Sequence, residues 1–152
     1  MAGKTFRFSL QSVLDLRRRE VEEAEHALGR AVQERREREE HLAATRRKRA
    51  EAHAAMPDGP IDPTVLRRRA GFLGDLRSAE AEAARRLDVV REQETEARCA
   101  LTARRQPEEA LRVLRDQEAS AHRRAQAKAE ADFLDEQAST RHRRRIRPVP
   151  HS

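Results

Sequence analysis

Tryptophan and tyrosine are absent from this 152-residue chain, and phenylalanine occurs only four times. Thick globular cores draw heavily on aromatic and branched aliphatic side chains. With aromatics at only 3% and charged residues at 39%, this chain cannot fill one. Cysteine occurs once, at Cys99, which rules out an intramolecular disulfide and a cysteine-based zinc site and fits a reducing compartment. No apolar run approaches the roughly 20 residues that span a bilayer. The opening MAGKTFRFSLQ has no continuous apolar region of signal-peptide length. These absences predict a cytoplasmic protein. Glycine (five) and proline (six) are also scarce, so long stretches contain no helix breaker.

What the chain has in quantity is Arg, Glu, Ala and Leu. That composition favours a long helix or coiled coil. Low hydrophobicity and high charge also mark disorder, so periodicity has to decide. The net charge of +6 is unevenly placed: residues 1–56 carry +3, residues 57–140 carry −2, and 141-RHRRRIR-147 adds +5.

The periodicity is helical. From Ser9 to Ala55 no proline occurs, and Gly29 is the only glycine. Leu14, Val21, Leu28 and Leu42 fall in one heptad column, and Arg17, Ala24, Ala31, Arg38, Thr45 and Ala52 in its companion. Arg35 and Arg49 interrupt the first column. The run 57-PDGPIDP-63 then marks a turn. Asp62 before Pro63 is a helix start, with an acceptor at the cap and a residue of fixed φ behind it. The second helix is predicted from about residue 63 to 140. Its columns hold Leu66, Leu73, Leu87 and Leu101, and Leu76, Ala83, Val90, Ala97 and Leu111. Pro107 predicts a kink or brief break near 105–107, because proline in a helix interior costs about 3 kcal/mol. The last twelve residues, 141–152, read as a disordered basic tail.

The predicted fold is all-α. A long antiparallel two-helix coiled-coil hairpin occupies 1–140 as one domain, with helix 1 at about 9–55, a turn at 57–62 and a longer second helix. An arm of about 45 residues would be roughly 70 Å long. Folding about residue 60 sets Leu42 against the Leu76 region, Leu28 against Val90, Leu14 near Leu101, and Phe6 and Phe8 near Leu111 and Leu114.

One stretch resists a purely structural explanation. In 71-GFLGDL-76 two glycines stand inside a helix, each costing about 1 kcal/mol relative to Ala. In the hairpin, Leu73 and Leu76 fall in the seam and Phe72 on its flank, opposite the part of helix 1 that is poorest in apolar residues. The tip therefore offers more apolar surface than its partner arm covers. Phe72, Leu73 and Leu76 either dock a partner, with Gly71 and Gly74 admitting its backbone, or Phe72 folds over the seam and caps the tip.

No catalytic constellation is present. His26, His41, His53, His122, His142 and His151 are scattered, and no HExxH pair, phosphate-binding loop or dinucleotide motif occurs. The reading is a non-enzyme without cofactor, metal or small-molecule ligand. The alternative is a nucleic-acid-binding protein or generic scaffold acting through Arg141, Arg143, Arg144, Arg145 and Arg147. Such contacts would be strongly salt-dependent, but no aromatics interleave with the arginines for base stacking.

Two segments carry a resemblance. The opening 6-FRFSLQSVLDLRRREVEEAEHAL-28 resembles the start of the flagellar export protein FliJ family, which often runs F-x-F-x-L-x-x-V-L-x-x-R into a charged helix. The segment 111-LRVLRDQEASAHRRAQAKAEADFLDEQA-138 resembles the family's closing Leu pair, charged helix and Leu/Phe-Asp-Glu. The resemblance implies a two-helix coiled coil similar to the stalk of rotary ATPases, seated in the pore of the hexameric export ATPase. It also implies contact with the membrane export gate, escort of export chaperones, and a place at the cytoplasmic face of the inner membrane at the flagellar base. In the family a Phe and a Leu four residues later, early in helix 2, touch the gate. That pattern falls on Phe72 and Leu76 and favours docking over capping. Aromatics that flank this patch in some members are missing here, with Leu66 and Arg69 nearby instead. Stalk proteins of virulence-type secretion systems share the architecture.

Overall fold

The computed structural model describes residues 5–55 and 58–146. It contains two helices and, among the described residues, no strand: α1 is Gln11–Ala54 and α2 is Pro63–Ile146. Asp62 starts α2 as its sequence suggests. Its Oδ1 accepts from the Thr64 amide at 3.1 Å, and its carbonyl accepts from the Leu66 amide. Gly59, in the bend before it, has φ of 98°, a conformation that L side chains rarely adopt.

Two expectations about α2 change. Of the kink or break expected near Pro107, the break does not occur: Pro107 lies inside the continuous helix. One missing N–H removes one bond, and the helix on either side retains its own cross-helix contacts. The helix also ends later than Thr140. Between Thr140 and Pro148 there is no breaker, and Arg143, Arg144 and Arg145 stand in the last turn, where cations oppose the helix dipole. Arg141–Arg145 are thus helical and exposed. Arg147, the rest of the predicted tail, and Pro57 at the start of the predicted turn lie outside the described residues.

The chain divides into two compact units, one of residues 1–18 with 106–152 and one of residues 19–105. In each, a segment of α1 runs antiparallel to a segment of α2. In the larger unit Leu42 packs with Ala83 and Leu87, all three buried, and Ala84 packs against them. Leu76, Val90 and Leu101 are also buried there, while Val21 and Leu28 are half-buried. In the smaller unit Leu14 is fully buried and Phe8 nearly so. Fully burying one such Leu contributes roughly 2 kcal/mol.

The register differs from a fold about residue 60. Arg46 and Arg49 reach Glu80, Glu39 meets Arg91, and Arg105 donates to Glu25 at 2.9 Å. These pairs centre near residue 64. Leu42 therefore faces Ala83 and Leu87 rather than Leu76, and Leu28 lies level with the stretch near Leu101 rather than Val90. In the smaller unit Arg18 lies 3.8 Å from Glu108, and the Phe6 ring meets His122 at 5.7 Å between centroids, further along α2 than Leu111 and Leu114. The connector permits the shift. Its eight residues, 55–62, can span about 26 Å when extended, whereas an offset of ten helical residues is about 15 Å. Ion pairs and packing along the seam, not the turn, set the register.

Candidate partner-docking site

The register leaves the first turns of α2 without a helix opposite. Ala54, the last residue of α1, comes level with about Leu73. Every residue from Ile61 to Arg68 is exposed. Ile61, Val65, Leu66 and Phe72 are exposed large apolar side chains, with Phe72 at 52%. Val65 and Phe72 are seven residues apart and so share one helix face. Leu73 is half-buried, and Leu76 is buried in the seam at 8%. Phe72 and Leu76 thus do not form one open ridge: Leu76 anchors the helix, and Phe72 stands free of the fold. The surface that a partner can cover is Phe72 with Val65 and Leu66.

Capping of the tip by Phe72 is not what the structure shows. Gly71 and Gly74 have ordinary negative φ, and a Cβ on either would meet nothing within 4 Å. Neither turn geometry nor internal packing requires them. A groove of about 210 Å³ opens beside Gly74, lined by Arg49, His53, Ala70, Leu73, Gly74 and Arg77.

Below the tip the seam is polar by design of its columns. Glu80 accepts from Arg49 at 2.6 Å and from Arg46 at 3.2 Å. Arg49, then Arg46, hold the Glu80 carboxyl below its usual value against the opposing effect of burial. One heptad pair further on, Glu94 is buried and accepts from Arg98 of its own helix at 2.6 Å and from Arg35 of α1. Arg98 first, and Arg35 with it, keep Glu94 ionised although burial favours the neutral acid. Glu94 and Glu39 in turn raise the Arg35 pKa. Glu39, held low by Arg35 and then by Arg91, completes the network. Sequence reasoning singled out Arg35 and Arg49 as defects in the stripe and missed their partners. The signal was available: Glu80 and Glu94 occupy the same heptad column as Leu73, Leu87 and Leu101.

Among the described residues no group of three His, Cys, Asp or Glu could hold a metal ion. Cys99 is exposed and free. Among the described residues no helix is long and apolar enough to cross a membrane.

With two helices and this exposed apolar face in place, comparison with protein-family models decides the family. The model described as flagellar FliJ protein matches residues 6–147. The chain belongs to the FliJ family. It is a component of flagellar protein export, built as a coiled coil, and the match covers both segments whose motifs resemble FliJ. No curated protein and no solved structure matches the chain.

Proposed function

We propose that the chain is a non-enzymatic stalk and adaptor of the flagellar type III export apparatus. In this reading it binds and stimulates the hexameric export ATPase, contacts the membrane export gate and escorts export chaperones, working at the cytoplasmic face of the inner membrane. The single observation that carries the adaptor role is Phe72. It is an exposed aromatic on the overhanging start of α2, at the position on which the resemblance to the family sets its gate-touching Phe. Leaving a Phe wet forgoes roughly 2 kcal/mol of burial, and the two glycines nearby serve no internal contact. Both features make sense if a second protein covers this face.

Leu76 enters this reading as a support rather than a contact, since it is buried in the seam. Phe72, Leu73 at the edge, and Val65 and Leu66 are the residues a gate component would touch. The experiment is capture of the detergent-solubilised export-gate protein by the immobilised chain. Phe72→Ala should weaken capture by roughly tenfold or more, as truncation of a central aromatic anchor does. Undiminished capture by this variant would remove Phe72 from the contact.

A further inference from the structure

Within its unit, the end of α2 has no partner among the described residues. Gln126 is the last partly buried residue, and every residue from Ala127 to Arg145 is exposed. None of residues 127–145 makes an ion pair among the described residues. Phe133 and Leu134 are 55% and 63% exposed. A single helical segment of about 20 residues is marginal in water.

The charges here are sorted. Glu130, Asp132, Asp135 and Glu136 form one block, and Arg141, Arg143, Arg144 and Arg145 the next, with the uncharged 137-QAST-140 between them. The blocks do not neutralise each other within the helix. No acid in the first block has a base three or four residues after it, while Asp132/Glu136 and Arg141/Arg145 are like-charge pairs at i,i+4, which destabilise a lone helix. Glu136 and Arg143 lie two turns apart, about 10 Å along the axis. Asp132, Glu136, Ser139 and Arg143 recur at spacings of four, three and four, so they share one stripe.

The geometry points to a second copy of this chain as the occupant of that stripe, laid antiparallel with a two-fold axis near Ser139. Reversing direction about Ser139 sets residues 133–137 of one copy level with residues 141–145 of the other, and the two-fold repeats the match. Asp135 and Glu136 then lie level with the arginine block, and Asp132 lies one residue past Arg145. Ser139 and Ala138 keep the crossing close. Phe133 lies against an arginine guanidinium, a favourable planar contact. A polyanion such as nucleic acid would meet the acidic block, and an acidic partner helix would be repelled by it. Only a partner with the same two blocks in reverse order satisfies both. The contact is mostly charged and smaller than the roughly 1,200 Å² of a stable interface, so the dimer is weak and salt-dependent.

Sedimentation velocity of the intact, nuclease-treated chain tests this. The expected result is a monomer–dimer shift with concentration at about 0.1 M salt that is lost at about 1 M, where the Debye length falls from about 10 Å to about 3 Å. Asp132→Arg with Glu136→Arg should abolish the dimer, and so should Arg143→Glu with Arg144→Glu. Combining all four should restore it. In a Cys99→Ser background, Ser139→Cys should form a disulfide-linked dimer and Glu130→Cys should not, because the two 130 positions lie about 27 Å apart, beyond the roughly 7 Å limit of a disulfide. A monomer at every concentration in low salt would overturn the proposal. So would mass gained only with nucleic acid present, a dimer that survives both block reversals, or cross-linking at 130 in place of 139.

Discussion

Arg35 of α1 donates across the seam to Glu94 of α2, a buried carboxylate that also accepts from Arg98 at 2.6 Å. This pair occupies two seam positions at which a simple coiled coil would place Leu. A buried ion pair is weak evidence for stability but strong evidence for register, because a slip leaves each charge facing an apolar neighbour. Glu94→Ala should therefore lower the melting temperature, since it removes the acceptor of Arg35 across the seam and leaves it only Glu39 of its own helix. Replacing both Arg35 and Glu94 with Leu should leave melting unchanged or raise it. Thermal unfolding followed by circular dichroism separates the two. If the double variant melted lower than Glu94→Ala, the pair would be a net stabiliser and not a register device.

Acid should loosen the hairpin in a defined direction. Arg49 and Arg46 lower the Glu80 pKa, and Arg98 and Arg35 lower that of Glu94. A carboxyl with a lower pKa folded than unfolded adds stability above its unfolded value, about 4.3. That stability is lost as pH falls through the folded value. The melting temperature should thus be nearly flat from about pH 7 to 5.5 and fall progressively below about pH 5. The fall should be shallower with Glu80→Gln and Glu94→Gln together. An identical slope in that variant would show that other carboxylates govern the acid response.

Leu42 packs against Ala83 and Leu87 in the buried cluster. Leu42→Ala should destabilise the chain by about 2–4 kcal/mol, as buried leucine truncations do. Phe72→Ala should change stability by less than about 0.5 kcal/mol, the usual range for a surface position without special contacts. Urea unfolding of the two variants checks the assignment. Comparable losses would place Phe72 inside the fold.

Gly71 and Gly74 have open space around them and no positive φ. Gly71→Ala and Gly74→Ala should each raise stability by about 0.5–1 kcal/mol through helix propensity. If the glycines serve a partner, the same changes should weaken gate capture. A stabilised variant with unchanged capture would leave the glycines without a docking role.

Much of this architecture was legible in the sequence because helices bury by position. Every residue of the α1 columns through Leu14 and Arg17 is buried or half-buried down to Ala52, and Asp62–Pro63 starts α2. The register was not legible from the turn, since an eight-residue connector tolerates several offsets. It follows from pairings such as Arg35–Glu94, which appear only when the charges in both columns are matched by sign. The open state of Phe72 was legible as a surplus. The burial of Leu76, in contrast, needed the true register, in which α1 ends level with about Leu73 and so reaches Leu76. The helical state of Arg141–Arg145 was hidden by composition: an Arg-rich run reads as tail unless the absence of a breaker before Pro148 is weighed.

The most direct measurement is turnover of the purified export ATPase with the chain added, alongside gate capture by the same preparations. The intact chain should raise turnover. Phe72→Ala should raise it equally while losing gate capture. In a stalk whose N- and C-terminal end enters the ring pore, deletion of residues 115–140 should lose stimulation while keeping gate capture. An intact, folded chain that leaves turnover unchanged, or two variants that lose both activities to the same degree while still folded, would contradict a stalk with separate ring and gate contacts.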